Sequence, residues 1–292
     1  MGEDGRHPTT PLEILTQIGI DDLLSALGLD GIWFGRNALK LLCRRPARRF
    51  ARQVVAYDEI VGAEGLQAGH AWVLEQFVKD VEVRGQEYIP SSGPLLVVAN
   101  HPGQSDASAL FVSIPRTDLR VVSASHLFMR TLPHTSRYLF FIAETAAGRL
   151  GLIRAVTRHL HSGGAVVMFP RGGIEPDPAV LPGAVDALAH WSPSMDLFAR
   201  LVADLTIVPA VASGVLSRRA LRHPLTYLRR DQTERRRLAA ILQILVPAYH
   251  DVTVRISFGK PIRMADLERD GAGAISAAVH AEIRRLIEAC GA

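Results

Sequence analysis

The chain has 292 residues, of which 48% are hydrophobic, and carries a formal net charge of +4. This length suits one large α/β domain, or one domain with a helical extension, better than two equal domains. No apolar run reaches the roughly 18 to 20 residues of a spanning helix, and the polar first ten residues lack a signal-peptide core. The two cysteines, Cys43 and Cys290, are far apart, which excludes a disulfide framework and indicates a reducing compartment.

Helical spacing of apolar residues dominates the first eighty or so residues. It runs from Leu12 to Ile20 and again from Val54 to Phe77. We therefore predict that residues 1–80 form a helical lead-in and that residues 81–292 form the main α/β domain.

Two arginine-rich segments make the charge distribution uneven. Seven basic residues and no acid lie between Arg36 and Arg52, interleaved with leucines and preceded by Trp33 and Phe34. Eight arginines and two acids lie between Arg218 and Arg237. A basic amphipathic pattern of this kind is attracted to anionic surfaces, so we expect contact with a membrane surface. A solvated helix face is the alternative for either segment.

Short β-branched or aliphatic runs begin near residue 81, and helical stretches lie between most of them. This alternation favours an α/β fold with a mostly parallel central sheet covered by helices and an N-terminal helical extension. A closing helix is predicted from Ala272 to Ala289. The predicted strands are Val81–Val83, Leu95–Val98, Leu119–Ser123, Tyr138–Ala143, Ala165–Phe169, Leu205–Val211 and Val252–Phe258.

The most informative run is residues 95–106, where an apolar strand ends at Asn100 and His101 and a Pro-Gly loop leads to Asp106. The carboxyl end of a strand is where α/β folds bind ligands. A carboxylate that accepts the Nδ1 hydrogen of His101 would fix its tautomer and let Nε2 act as a base. His70 and Glu75 have the same separation, so spacing alone leaves a structural histidine as the alternative.

Two further predicted strands carry residues of interest at or near their ends. One leads through Phe169, Pro170 and Arg171 to Gly172 and Gly173, opening a turn-rich loop. The other, Leu205–Val211, contains Pro209. We expect all three segments to share one edge of the sheet.

At this point the chain resembles the glycerolipid acyltransferases typified by bacterial lysophosphatidic acid acyltransferases. The first motif of that family, Asn-His followed by four residues and an Asp, is met by Asn100, His101 and Asp106. The third motif is met in part by Phe169, Pro170 and Gly172, and the fourth by Ile207, Val208 and Pro209. Order and spacing agree over roughly residues 81–261.

The resemblance implies transfer of a fatty acyl group from acyl-CoA or acyl carrier protein to a hydroxyl of a lysophospholipid or related glycerolipid. His101 would be the general base and Asp106 its orienting partner, with no metal and no cofactor beyond the thioester co-substrate. The substrate-binding residues it implies are Asn100, Arg149, Phe169, Pro170, Arg171, Gly172, Gly173 and Pro209.

The chain departs from the family at the positions that hold the acceptor's phosphate. Arg171 stands where the third motif has Glu, and Ile174 where it has Arg, with Glu175 one place later. The second motif should end in an arginine, but Phe141–Glu144 ends in an acid, so Arg149 or Arg154 would have to substitute. Arg171 can itself hold a phosphate by bidentate bonding; a surface arginine on a loop is the alternative.

Other classes of function fit the sequence less well. No Gly-x-Ser-x-Gly elbow is present, which argues against an α/β-hydrolase. Nucleic-acid binding has only the arginines in its favour, since no aromatic residues are arranged for stacking. The remaining rival is a protein of the same fold that has lost transfer activity and binds lipid. We expect a cytoplasmic enzyme that attaches peripherally to the inner face of the cell membrane.

Overall fold

A seven-stranded sheet forms the centre of the protein. The structure, a computed structural model, describes residues 10–29, 31, 35–267 and 273–290. The strand order is β1-β7-β6-β2-β5-β3-β4, and every strand lies within or overlaps a run predicted from the sequence. The strands are β1 (Asp80–Arg84), β2 (Leu95–Ala99), β3 (Leu119–Ala124), β4 (Leu139–Ile142), β5 (Ala165–Met168), β6 (Thr206–Ser213) and β7 (Thr253–Phe258).

Five of the strand pairings are parallel, and only β6 and β7 run antiparallel. The predicted mostly parallel sheet is therefore confirmed. Strand β7 is parallel to the edge strand β1 on its other side, so β1 and β7 run opposite to the other five strands. The chain after β7 also bridges back to β6, where Ile207 and Ile262 exchange two backbone hydrogen bonds.

Helices cover both faces of the sheet. Alternate residues of β2 belong to opposite cores: Leu95 and Val97 pack into one hydrophobic cluster, and Leu96 and Val98 into the other. A strand buried on both faces reads as an unbroken apolar run, as β2 does. The helices are α1 (Pro11–Ala26), α2 (Arg36–Glu64), α3 (Leu66–Phe77), α4 (Ser105–Ser113), α5 (Leu127–Arg130), α6 (Ala146–His161), α7 (Ser194–Leu201), α8 (Arg218–Leu221), α9 (Gln232–Leu245) and α10 (Ala274–Cys290).

Helices α2, α3 and α4 pack on one face of the sheet, and α6, α7 and α10 on the other. The predicted closing helix is confirmed as α10, although Ala272 lies outside the described residues. Its apolar face is Ile275, Val279, Ile283 and Ile287, all buried. The result is a three-layer α/β/α arrangement.

The N-terminal helices precede the sheet, as predicted, but they share its core. Leu15, Val54 and Leu66 belong to the same cluster as the inner residues of β2. The division at residues 80 and 81 stays a prediction. Trp33 and Phe34 lie outside the described residues, and within those residues no helix combines the length and apolarity needed to cross a bilayer.

Candidate active site

Three loops meet at one edge of the sheet. Strand β2 lies between β5 and β6 and is parallel to both, so the carboxyl ends of these strands are neighbours. The loop after β2 carries His101, the loop after β5 carries residues 169–177, and the loop after β6 begins at Gly214. The expected convergence of these loops is therefore present.

His101 and Asp106 form a hydrogen-bonded pair across the loop between β2 and α4. Nδ1 of His101 lies 2.8 Å from Oδ2 of Asp106. An ionised carboxylate only accepts hydrogen bonds, so Nδ1 carries the hydrogen and donates it. The other ring nitrogen, Nε2, is thereby left as the basic one, on a side chain that is 28% exposed.

Asp106 is held by backbone amides as well as by His101. Its side chain is fully buried, and the amides of Gly103 and Ala107 donate to Oδ2 at 3.1 Å and Oδ1 at 2.6 Å. The residue lies in the first turn of α4, where the helix dipole favours a negative charge. Three donors therefore fix the carboxylate in place before any substrate arrives.

Phe169 and Pro170 lie against the same site from the end of β5. The ring of Phe169 stacks on the imidazole of His101, with centroids 4.7 Å apart and planes inclined by 30°. The carbonyl of Pro170 accepts from the amide of Ser192 at 3.0 Å, which fixes the start of the loop. Phe169 thus limits rotation of the imidazole about its side-chain bonds.

Glu175 is a further member of the site that the sequence reasoning did not select. Its amide donates to the carbonyl of His101 at 2.8 Å, and its Oε1 accepts from the His101 amide at 3.3 Å. Its Oε2 accepts from the indole Nε1 of Trp191 at 3.0 Å. The one signal in the sequence was its position, one residue after the place where the third motif has its arginine.

The two carboxylates act on the imidazole in the same direction. Burial by itself lowers the pKa of His101, but the charge of Asp106, its hydrogen bond and the charge of Glu175 outweigh burial, and the pKa is raised. Burial raises the pKa of Glu175 to about 7, against the opposing hydrogen bonds from Trp191 and from the His101 amide. The site therefore favours the protonated form of both side chains, His101 and Glu175.

Asn100 and Asp177 tie the loops to β6. The amide side chain of Asn100 donates to the carbonyl of Ala212 at 3.0 Å and accepts from its amide at 2.7 Å. Asp177 accepts from the amides of Ala179, Gly214, Val215 and Leu216 at 2.7–3.0 Å. Asn100 is thus committed to the backbone, and the substrate contact implied for it stays a prediction.

The other residues predicted to bind substrate lie at varying places around this edge. Arg171 is exposed on the loop, and its guanidinium donates to the carbonyl of Ile174. Gly172 has a φ of +68° and donates its amide to the carbonyl of Phe169, whereas no acceptor for the Gly173 amide is found in the described part of the chain.

Arg149 and Pro209 are not brought into contact with His101. Arg149 is exposed in the first turns of α6 and donates to the carbonyl of Glu144. Pro209 lies inside β6, opposite Val98, and is buried there. Their roles in substrate binding stay predictions.

A mainly apolar cleft of about 980 Å³, its open mouth included, begins at the loop between His101 and Asp106. Gly103, Gln104 and Ser105 of that loop form part of its wall. Helices α2, α3, α5 and α9 supply most of the rest. The apolar lining residues are Phe50, Val54, Trp72, Val73, Phe77, Phe128, Met129, Leu132, Val215, Leu216, Ala240 and Ile244.

Residues 80–213 match the family model described as Acyltransferase. The matched range contains His101, Asp106 and Glu175. No curated protein matches the chain.

Among solved structures, the chain is similar to the 1-acyl-sn-glycerophosphate (LPA) acyltransferase PlsC from Thermotoga maritima. The identity is 16%, the TM-score is 0.45, and the alignment covers 96% of this chain and 94% of that one.

Proposed function

We propose that the protein is an O-acyltransferase that moves a fatty acyl group from acyl-CoA or acyl carrier protein to a hydroxyl of a lysophospholipid or related glycerolipid. The observation that carries this proposal is the His101–Asp106 pair at the sheet edge, with Nε2 left basic, beside a mainly apolar cleft. The family of the matched domain supports the reaction class.

In this mechanism His101 removes the hydroxyl proton of the acceptor while its oxygen attacks the thioester carbonyl. The resulting imidazolium is stabilised by Asp106 and Glu175, whose charges already raise the pKa of His101. As the tetrahedral intermediate collapses, the carbon–sulfur bond breaks and the imidazolium returns a proton to the departing sulfur. The amide of Gly173 is our candidate donor to the oxyanion.

The cleft beside the catalytic loop fits the acyl chain of the donor. Its wall is formed largely by aliphatic and aromatic side chains, and the wall reaches Gly103 and Ser105 next to the reacting centre. Burying a methylene group in such surroundings stabilises a complex by about 0.8 kcal/mol, so a long chain gains much of its affinity there. We assign the head group of the acceptor to the opposite, open side, near Arg171.

The exposed side of α2 supports attachment to an anionic membrane. Leu41 and Leu42 on this helix are 68% and 74% exposed, although both are large apolar side chains. Within the described chain none of the ion pairs involves the basic residues of this side. The exposed arginines are Arg44, Arg45, Arg48 and Arg49. In the second arginine-rich segment, by contrast, Arg219, Arg229 and Arg237 pair with acids.

Activity is tested by thiol release from palmitoyl-CoA with lysophosphatidic acid, other lysolipids or no acceptor. We expect acceptor-dependent release that His101→Ala lowers by about 10²- to 10⁴-fold. His161→Ala, an exposed histidine on α6, is the matched control and should behave as wild type. Undiminished turnover in His101→Ala would refute the general-base role of His101. If no combination of donor and acceptor releases thiol, the lipid-binding alternative would be favoured.

The phosphate-bearing acceptor is tested with Arg171→Ala. If this guanidinium meets the acceptor phosphate, KM for lysophosphatidic acid should rise while KM for a monoacylglycerol stays unchanged. Equal effects on both acceptors would assign Arg171 to the loop rather than to the phosphate.

Membrane attachment is tested by sedimentation with vesicles that contain phosphatidylglycerol. The pair Arg45→Glu and Arg49→Glu on α2 should release the protein, because it removes two positive charges and adds two negative charges that the anionic surface repels. The equally spaced pair Arg154→Glu and Arg158→Glu on α6 is the control. If both pairs sediment alike, α2 is not the membrane-facing helix.

A further inference from the structure

Three polar side chains form a chain of hydrogen bonds in the wall of the apolar cleft. Tyr57 Oη on α2 lies 3.0 Å from Nε2 of His70 on α3, and Nδ1 of His70 lies 2.9 Å from Oγ of Ser108 on α4. All three residues line the cleft. Neither the catalytic pair nor the acyl-chain cleft, as described so far, requires them.

The imidazole of His70 is neutral at physiological pH, because burial lowers its pKa to about 3. A base this weak cannot activate Ser108 as a nucleophile, and an acyl-enzyme at this serine is not expected. The chain of three groups is therefore a hydrogen-bonding device. His70 connects the two hydroxyl groups and holds Ser108 in one orientation.

The hydrogen bonds among Tyr57, His70 and Ser108 leave the Ser108 hydroxyl able to form one more hydrogen bond in either tautomer of His70. If Nδ1 carries the hydrogen, it donates to Ser108 Oγ, and the serine hydroxyl is free to donate onward. If Nε2 carries it, the serine donates to Nδ1, and its oxygen is free to accept. A ligand hydroxyl, which both donates and accepts, can pair with Ser108 in both cases, whereas a methylene group pairs with it in neither.

The position of Ser108 indicates which part of an acyl chain it meets. Ser108 follows Asp106 by two residues on α4, an axial distance of about 3 Å in a helix, and Ser105 of the same helix also lines the cleft. An acyl chain whose thioester lies at His101 would therefore pass Ser108 near its carbonyl end. Most of the other lining side chains are apolar.

We propose that the cleft selects acyl chains that carry a hydroxyl close to the thioester, with Ser108 as the hydrogen-bonding partner and Tyr57 and His70 as its positioning residues. This inference rests on the proposed function, because it assigns the cleft to the acyl donor. The ligand class is a 3-hydroxyacyl thioester, as opposed to an unsubstituted one.

The experiment compares kcat/KM for 3-hydroxypalmitoyl-CoA and palmitoyl-CoA. One net hydrogen bond predicts a preference of about two- to tenfold for the hydroxylated chain in the wild type. In Ser108→Ala the ratio should fall to about one, whatever the absolute rates. Ser113→Ala is the matched control: this buried serine of α4 donates to the carbonyl of Ala109, outside the cleft, and should keep the wild-type ratio.

Two further arms keep failure of this inference distinct from failure of the proposed function. Titration calorimetry with palmitic and 3-hydroxypalmitic acid measures the preference without turnover. Equal transfer and equal binding of both chains in the wild type would overturn the hydroxyl site and leave the transferase intact. A binding preference that Ser108→Ala abolishes, without transfer of either thioester, would support the site and overturn the transferase. A preference for 12-hydroxystearoyl-CoA instead would overturn the placement near the thioester.

Discussion

Replacing Glu175 by Gln should change how the stability of the protein depends on pH. The carboxyl group is buried, accepts from the His101 amide and from Trp191, and has its pKa raised to about 7 by burial. The folded state therefore binds this proton more tightly than the unfolded chain does. Between the two pKa values only the unfolded chain releases the proton, so the free energy of unfolding falls as the pH rises.

The magnitude follows from the two pKa values. Folding moves the pKa of Glu175 from 4.5 to about 7, and a tenfold change in proton affinity corresponds to about 1.4 kcal/mol. This group thus contributes about 3 kcal/mol of stability that is fully present below pH 4.5 and lost as the pH rises through 7. Gln cannot titrate. Relative to the wild type, Glu175→Gln should gain about 3 kcal/mol between these limits, whatever fixed cost its amide group adds.

The assay is urea denaturation of both proteins at half-unit steps from pH 4.5 to pH 8. Glu288→Gln, an exposed substitution on α10, is the control and should follow the wild-type curve throughout. A difference in unfolding free energy between Glu175→Gln and wild type that stays constant over this range would refute the argument. It would mean that Glu175 is ionised in the folded protein well below neutral pH.

Three other substitutions probe the framework of the site. Asp106→Asn places an amide group against either the Ala107 amide or His101 Nδ1. We expect thiol release to show a kcat about 10²- to 10⁴-fold lower, with the acidic limb of the pH–rate profile moved to lower pH. Asn100→Ala leaves a buried backbone amide and carbonyl unpaired, and chemical denaturation should show a loss of about 3 kcal/mol. Asp177→Asn places a side-chain NH2 group against backbone N–H donors, which should loosen the loop after β5. Limited proteolysis should therefore cut this loop faster than in the wild type, and an unchanged cleavage rate would contradict that account.

Much of the fold could be predicted because its signals are local. Each strand of the sheet is a short β-branched or aliphatic run, and β2 is apolar throughout because both its faces are buried. The His101–Asp106 pair could also be predicted, since both residues lie on one loop and their contact closes over five positions. These features depend on the spacing of apolar residues and on where a strand ends, rather than on contacts between distant segments.

Glu175 could not be predicted, because its role depends on how a loop folds back. Comparison with the third motif placed Arg171 where a Glu was expected, and the residue that contacts the His101 backbone comes four positions later. Likewise, the hydrogen bonds from Asn100 to Ala212 and from His70 to Ser108 join segments 112 and 38 residues apart. No pattern in a single sequence indicates such contacts.

The N-terminal helices show a related difference. Helical spacing correctly predicted them, but it gave no sign that they would complete the core of the sheet and form one wall of the apolar cleft. Residues that close a cavity from another part of the chain carry the same apolar pattern as residues that merely cover a sheet. Tertiary packing alone distinguishes the two.

The loop after β5 is attached on both sides of its exposed tip. Phe169 packs on His101 before the tip, and Glu175 and Asp177 bind backbone amides after it, so the tip itself, residues 171–174, bears little of the framework. In the acyltransferase that we propose, substitutions in these four positions would alter which head group is accepted without displacing His101. The fold thus separates the proposed reaction centre from an exposed loop tip, so that new acceptor preferences would need few mutations.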